Sequence, residues 1–211
     1  MAESRPVALP PGERTVGQLV AESIRFYGDR FLTVLLLGLP FLALDLASID
    51  QAWWKQAIWG WVVGPLVCAA YVRASMLVTS SFWSWRAFIV ALIVYIPYPI
   101  LGLYALPAVV WFALIGLSVP AAVVESLGIR AALRRGLQLG RADPVHAIGG
   151  LATLALVYGV TRTALLVLLN SQGGQGHEIA VILSDVVLSP LLYIGGALLY
   201  VDQAARVEAV Q

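Results

Sequence analysis

Six stretches of this 211-residue chain are long and apolar enough to cross a bilayer, and no other feature constrains the fold as tightly. A spanning helix needs ~20 mostly apolar residues. The runs are 31–49, with Asp45 inside; 57–79, with Arg73 toward its end; 87–103; 104–124; 146–169, with Arg162 inside; and 179–200, with Asp185 inside and Pro190 as an expected kink. The third and fourth are nearly continuous. They read as two spans or a re-entrant pair, because a single helix of ~38 residues would be far longer than a bilayer is thick. Pro97, Pro99, Gly102 and Pro107 supply the kinks and the turn. Hydrophobic residues make up 60% of the chain and charged residues 12%, at a mean hydropathy of +0.86, whereas a soluble domain carries ~25% charged residues. A water-facing domain of this size cannot hide that much apolar surface. The expected fold class is all-α: an integral membrane helical bundle of about six transmembrane helices.

Two segments are too polar to cross. Residues 15–30 set Val16, Leu19, Val20, Ile24 and Tyr27 on one helical face and Gln18, Glu22, Arg25 and Asp29 on the other. Residues 126–141 set Leu127, Ala131, Leu137 and Leu139 against Arg130, Arg134, Arg135, Gln138 and Arg141. Both read as amphipathic helices lying in the interface plane or packed beneath the bundle. Thr15 is the expected N-cap of the first, and Asp143-Pro144 stops the second. Residues 1–14, with four charges and three prolines, read as a disordered tail rather than a signal peptide, and 204–211 as a short C-terminal tail. The spanning domain covers 15–203. Each amphipathic helix precedes a spanning run, and Val16-Gly17 matches Leu127-Gly128. The next match, Tyr27-Gly28-Asp29 with Leu139-Gly140-Arg141, is offset by one residue, so support for a duplication is weak.

Orientation follows from the cations. With the N-terminus in the cytoplasm, the inner side receives Arg5, Arg14, Arg25, Arg30, Arg86, Arg130, Arg134, Arg135, Arg141 and Arg206, and the outer turns only Lys55. The expected location is the cytoplasmic (inner) membrane, with both termini cytoplasmic. The seven tryptophans (Trp53, Trp54, Trp59, Trp61, Trp83, Trp85 and Trp111) read as interface anchors.

The ionisable residues within apolar runs are the candidate sites. A charge at mid-bilayer costs at least ~2.5–3.5 kcal/mol on insertion scales, so each should have a partner. Counting ~1.5 Å per residue from the span ends puts Asp45, Arg162 and Asp185 at similar height. An Arg162–Asp185 pair with Asp45 as third member is expected. The same bookkeeping pairs Arg73 with Glu125. Such pairs staple helices together, because lipid gives helices no hydrophobic reason to associate; the other reading is an ion or proton path. Arg130, Arg134, Arg135 and Arg141 are candidates for lipid headgroup contact or partner docking.

No catalytic constellation is present. The chain lacks G-x-x-x-x-G-K-[ST], G-x-S-x-G and H-E-x-x-H. His146 and His177 are too few for a histidine-based metal site, and His146 reads as interfacial. The lone Cys68 rules out an intrachain disulfide. A net charge of +1 gives no reason to expect nucleic acid as a partner. No cofactor or metal is expected, and the chain reads as non-enzymatic.

The stretch Val119-Pro-Ala-Ala-Val-Val-Glu-Ser-Leu-Gly-Ile-Arg-Ala-Ala-Leu-Arg-Arg-Gly-Leu-Gln-Leu-Gly-Arg resembles the most recognisable segment of a broad group of bacterial and archaeal membrane proteins. The group includes the YciC-like proteins and the membrane domain ahead of some glycerophosphoryl diester phosphodiesterases. In it a span ends in Glu, a Gly follows, and an Ala-Leu-Arg-Arg helix leads into the next span. Val16-Gly-Gln-Leu-Val-Ala-Glu-Ser-Ile-Arg-Phe-Tyr is similar to the group's N-terminal amphipathic helix. The resemblance implies a helical membrane module of about six spans, largely of unknown function. It does not imply phosphodiesterase activity, which resides in a separate soluble barrel. The segment after Arg141 departs from the group, being Ala-Asp-Pro where relatives often carry a bulkier aromatic.

Taken together, the residues point to a scaffold, accessory or assembly subunit that packs with lipid, other membrane proteins or copies of itself. The alternative is a small transporter or lipid-handling protein that uses the Arg162–Asp185–Asp45 region.

Overall fold

The computed structural model describes residues 9–48, 51–102, 104–169 and 174–209, and the side chains of Gln175 and His177 lie outside that description. Parts of both expected outer turns, and residues 1–8 of the expected tail, therefore lie outside the described residues. Those described are all-helical and contain no strand. Five helices are long and apolar enough to cross a membrane: Phe31–Ser48, Trp53–Thr79, Ala105–Val124, Pro144–Leu169 and Glu178–Glu208.

The chain opens with α1 (Val16–Asp29). Thr15 accepts the Gln18 N–H, and the Gln18 side chain accepts the Thr15 N–H, a reciprocal capping box. The first span is broken into α2 (Phe31–Leu35), a 3₁₀ turn (Leu36–Gly38) and α3 (Leu39–Ser48). α4 (Trp53–Thr79) is continuous through Pro65 and ends on Ser80 in the left-handed conformation, φ 53°. The expected 87–103 span is α5 (Trp85–Tyr95), capped by Ser84, followed by the single turn α6 (Tyr98–Leu101). At 1.5 Å per residue α5 is only ~16 Å long. Pro97 and Pro99 end it rather than kink it, since each lacks an N–H and crowds the carbonyl four residues back.

The next span consists of α7 (Ala105–Trp111), a π turn (Phe112–Gly116) and α8 (Ser118–Val124). α9 (Ile129–Ala142) starts three residues later than expected, because Ser126 adopts φ 50° and Gly128 is the N-cap. α10 (Pro144–Leu169) begins at once, with the Asp143 carboxylate accepting the His146 N–H at 3.0 Å. The last span comprises α11 (Gly174–Leu183), a π turn (Ser184–Leu188) and α12 (Ser189–Glu208). Helix therefore continues to Glu208, where a tail from 204 was expected.

The three irregular turns have one cause. Each contains the carbonyl four residues before a proline: Leu36 before Pro40, Gly116 before Pro120, and Val186 before Pro190. The proline offers no hydrogen to that carbonyl, and its ring pushes the carbonyl aside.

α4 and α12 form the middle of the bundle. Val72, Ala74, Val90, Val119, Ala122 and Ile194 are fully buried around them, and a second cluster joins Leu19, Leu117, Leu139 and Leu199. Small residues set the closest approaches. A Cβ on Gly140 would lie 2.7 Å from the backbone of Leu114, so α9 lies directly on the α7–α8 span. On α12, Gly195 makes room for Leu154 and Gly196 for Tyr71. α10 is peripheral: its buried residues are His146, Ala147, Gly150 and Leu154, all in its first half.

Replacing Gly140 with Val should cost about 1–3 kcal/mol, because two backbones cannot separate without unpacking Leu139. Gly28→Ala meets no atom within 4 Å and should be neutral or mildly stabilising. Thermal unfolding of the two variants in one lipid-mimetic system checks both outcomes.

Candidate functional site

Arg162 and Tyr158 stand one turn apart on α10 and face the last span. The Arg162 guanidinium donates to Asp185 Oδ1 at 3.0 Å, to the Tyr158 hydroxyl at 2.8 Å, and to Asp45 Oδ2. The Tyr158 hydroxyl in turn donates to Asp185 Oδ1 at 2.9 Å. Asp185 is fully buried, whereas Asp45 and Arg162 are about a quarter exposed. The structure thus brings together the three far-end residues singled out in the sequence, and adds Tyr158.

Backbone irregularity positions this cluster. Asp185 sits in the π turn ahead of Pro190, and such turns recur at functional sites. In a π turn its carbonyl would look to the N–H of residue 190, which is proline, and the Ser189 hydroxyl donates there instead. The 3₁₀ turn of the first span docks on the same place: a Cβ at Gly38 would meet the Asp185 and Val186 backbones at 2.5–2.6 Å. Asp45 follows two turns later and reaches Arg162.

Beside the cluster is a partly open cavity of about 360 Å³ lined by residues of α3, α4, α5, α7, α10 and α12. Phe41, Tyr71, Tyr95, Tyr98, Phe112, Tyr158 and Tyr193 line it, so Tyr158 belongs to both cavity and cluster. The rings touch in series, Tyr158–Phe41 at 6.4 Å, Phe41–Tyr193 at 5.6 Å and Tyr193–Tyr71 at 6.2 Å between centroids. Tyr71 and Tyr95 spend their hydroxyls on the carbonyls of Gly116 and Gly60. The Tyr193 hydroxyl is buried with no partner among the described residues. On the outer side of the bundle an apolar groove of about 950 Å³ runs between α7 and α10. Ala105, Val109, Ala155 and Gly159 line both groove and cavity, so the two spaces adjoin at these four residues.

The Arg73–Glu125 pairing does not form. Val72 and Ala74 are fully buried, so the helical phase of α4 turns Arg73 to the outside, where it has no side-chain partner among the described residues. Glu125 binds Arg135 Nε at 3.0 Å and the Tyr200 hydroxyl at 3.0 Å. Arg135 is therefore drawn inward, whereas Arg130, Arg134 and Arg141 remain exposed along α9. Two tryptophans expected as interface anchors have other work. The indoles of Trp61 and Trp111 donate to the carbonyls of Ile96 and Val94, at 2.9 Å each, where α5 stops.

A second polar cluster lies at the end of the bundle that carries residues 9–15. Arg14 pairs with fully buried Asp202 at 3.0 Å, and His146 Nε2 lies 3.8 Å from the other Asp202 oxygen. Arg206 binds Asp143 at 2.8 Å and the Arg14 carbonyl at 2.8 Å, and Gln203 donates to the Asp143 carbonyl. Sequence reasoning missed this network because it treated its parts as a tail, a helix stop and an interfacial histidine. The signal was present: Asp202 and Arg206 stand one turn apart on α12, and Asp143 is an N-cap.

Removing the Arg162 side chain leaves Asp185 buried without its cation. Arg162→Ala should cost about 3–5 kcal/mol, while Arg73→Ala should stay within about 0.5 kcal/mol. A double-mutant cycle should give coupling between Glu125 and Arg135 and none between Glu125 and Arg73; the reverse result would restore the pairing expected from the sequence. Compared with protein-family models, with curated proteins and with solved structures, the chain matches none.

Proposed function

We propose that this chain is a non-enzymatic multi-pass membrane protein that takes a lipid-like molecule into its central cavity. The carrying observation is the wall that cavity and groove share. A cavity lined by aromatic rings, within the ~300–1,000 Å³ typical of small-molecule sites, adjoins the outer groove at Ala105, Val109, Ala155 and Gly159. A ligand already dissolved in the bilayer would enter past these residues. The accessory or scaffold reading draws support from α10, since 6% of its apolar window is buried within this chain, leaving a long apolar face for lipid or another protein.

The reading includes six crossings, with α5 and α6 as a short third one. In its support, α5 starts beside the end of α4 and reaches the level of Gly60 by Tyr95. It takes α1 and α9 as interfacial helices, α9 offering exposed Arg130, Arg134 and Arg141 to anionic headgroups at ~1 kcal/mol each. It puts both termini in the cytoplasm of a cell whose inner membrane holds the protein, on the strength of the arginine distribution. It also takes the chain as a member of the YciC-like group, supported by the run of residues 119–141 through Glu125, the Gly128 cap and the Ala-Leu-Arg-Arg turn of α9.

Gly159→Trp would fill the shared wall, where a Cβ meets nothing within 4 Å. Mass spectrometry of protein extracted into native lipid particles should find a molecule bound to the wild type and lost from this variant, with thermal stability kept. Wild-type protein that carries no bound molecule and gains no stability from any added lipid would sink the proposal. For orientation, cysteines placed at Lys55 and Glu208 in a Cys68→Ser background should differ: on intact cells an impermeant maleimide labels the first and spares the second. Labelling of Glu208→Cys alone would invert the topology.

A further inference from the structure

We infer that the molecule held beside the Arg162 cluster is a lipophilic cation, a protonated amine carried on an apolar chain or ring. The inference rests on the cavity reading above and adds the chemical class of its ligand.

Charge is the first argument. Asp45 and Asp185 face one guanidinium, so with all three ionised the cluster carries one uncompensated negative charge. The donors are unevenly spent. Arg162 and Tyr158 both bond Asp185 Oδ1, and the other Arg162 nitrogen goes to Asp45. Asp185 Oδ2 is buried with no hydrogen-bond donor among the described residues, and the Asp45 carboxylate stands close to Asp185. A buried carboxylate oxygen without a donor is unfavourable, and a cation is the partner that supplies both charge and hydrogen bond.

The cavity gives an independent argument. Tyr193, 6% exposed, lines it with a hydroxyl that has no partner among the described residues, the rings of Phe41 and Tyr71 stand beside that tyrosine, and Tyr158 stands against Phe41. Aromatic faces attract cations, most strongly where water is excluded, and a tyrosine oxygen accepts a hydrogen bond from an ammonium N–H. An anionic headgroup finds the opposite conditions, because the Arg162 donors near it are already bound to carboxylates. Tyr158 alone of the cluster lines the cavity, its ring in the wall and its hydroxyl on Asp185, so a ligand in the cavity would put its cationic end against Tyr158 with the carboxylates behind it.

Binding of three probes of equal chain length tests this on the full chain in a neutral detergent: decylammonium, decanol and decanoate. The cation should bind about tenfold more tightly than the other two, a difference of about 1.4 kcal/mol. Asp185→Asn and Asp45→Asn should each shrink that preference to threefold or less. Asp45 is partly exposed, so its variant serves if Asp185→Asn does not fold. Equal binding of all three probes, blocked by Gly159→Trp, would overturn the cation inference and leave the cavity reading standing. A preference for decanoate would overturn it as well. Failure of every probe to bind would overturn both.

Discussion

In lipid, a backbone carbonyl without a donor has no water to turn to, and prolines within the spans create such carbonyls. Much of this architecture follows from how they are satisfied. The Leu36 carbonyl, orphaned by Pro40, takes the Leu39 N–H in a 3₁₀ turn. The Gly116 carbonyl, orphaned by Pro120, takes the Tyr71 hydroxyl from across the bundle, and that fixes Tyr71 as a cavity wall. Near Pro190 the Ser189 hydroxyl serves the Asp185 carbonyl, and the π turn carries the Asp185 side chain toward α10. At the end of α5, next to Pro97 and Pro99, the indoles of Trp61 and Trp111 cap carbonyls that would otherwise face hydrocarbon. One chemical problem, solved four times, sets both the irregular helices and the aromatic arrangement around the cavity.

Polar contacts fasten the bundle at its two ends by different means. At one end Arg14, Asp143, Asp202, Gln203 and Arg206 tie three chain segments together, so the stretch before α1 is part of the fold. At the other, Arg162 joins α10 to α3 and to the last span. Between the two ends, contacts between small residues and large ones do the work, with Gly195 beneath Leu154 and Gly140 on the Leu114 backbone. This division suits a membrane, where apolar packing alone gives helices little preference for one another over lipid.

The sequence made some of this legible and hid the rest for definite reasons. Rise per residue is nearly constant in a helix, so counting from span ends located Asp45, Arg162 and Asp185 at one height, and the three meet. Height says nothing about azimuth, and Arg73 shows the difference: it shares a depth range with Glu125 but lies between buried Val72 and Ala74 and points away. The prolines at 97 and 99 were visible as breakers, yet the donors that satisfy the carbonyls there, Trp61 and Trp111, lie elsewhere in the chain. The basic-end network needed Asp143, Asp202 and Arg14 to be seen as neighbours across almost the whole sequence. The cavity was not legible at all, because a void is a property of how α7 and α10 sit relative to α4 and α12.

The lopsided burial of α10 has a mechanical meaning. Past Leu154 this helix contributes half-buried residues at most, and Arg162 and Tyr158 supply side-chain hydrogen bonds that tie its distal half to the bundle. Close packing is indifferent to its surroundings, whereas the strength of a charged contact depends on how much water is near it. The distal half of α10 therefore acts as a clasp whose grip tightens as the bilayer around it dries and loosens as water reaches Arg162.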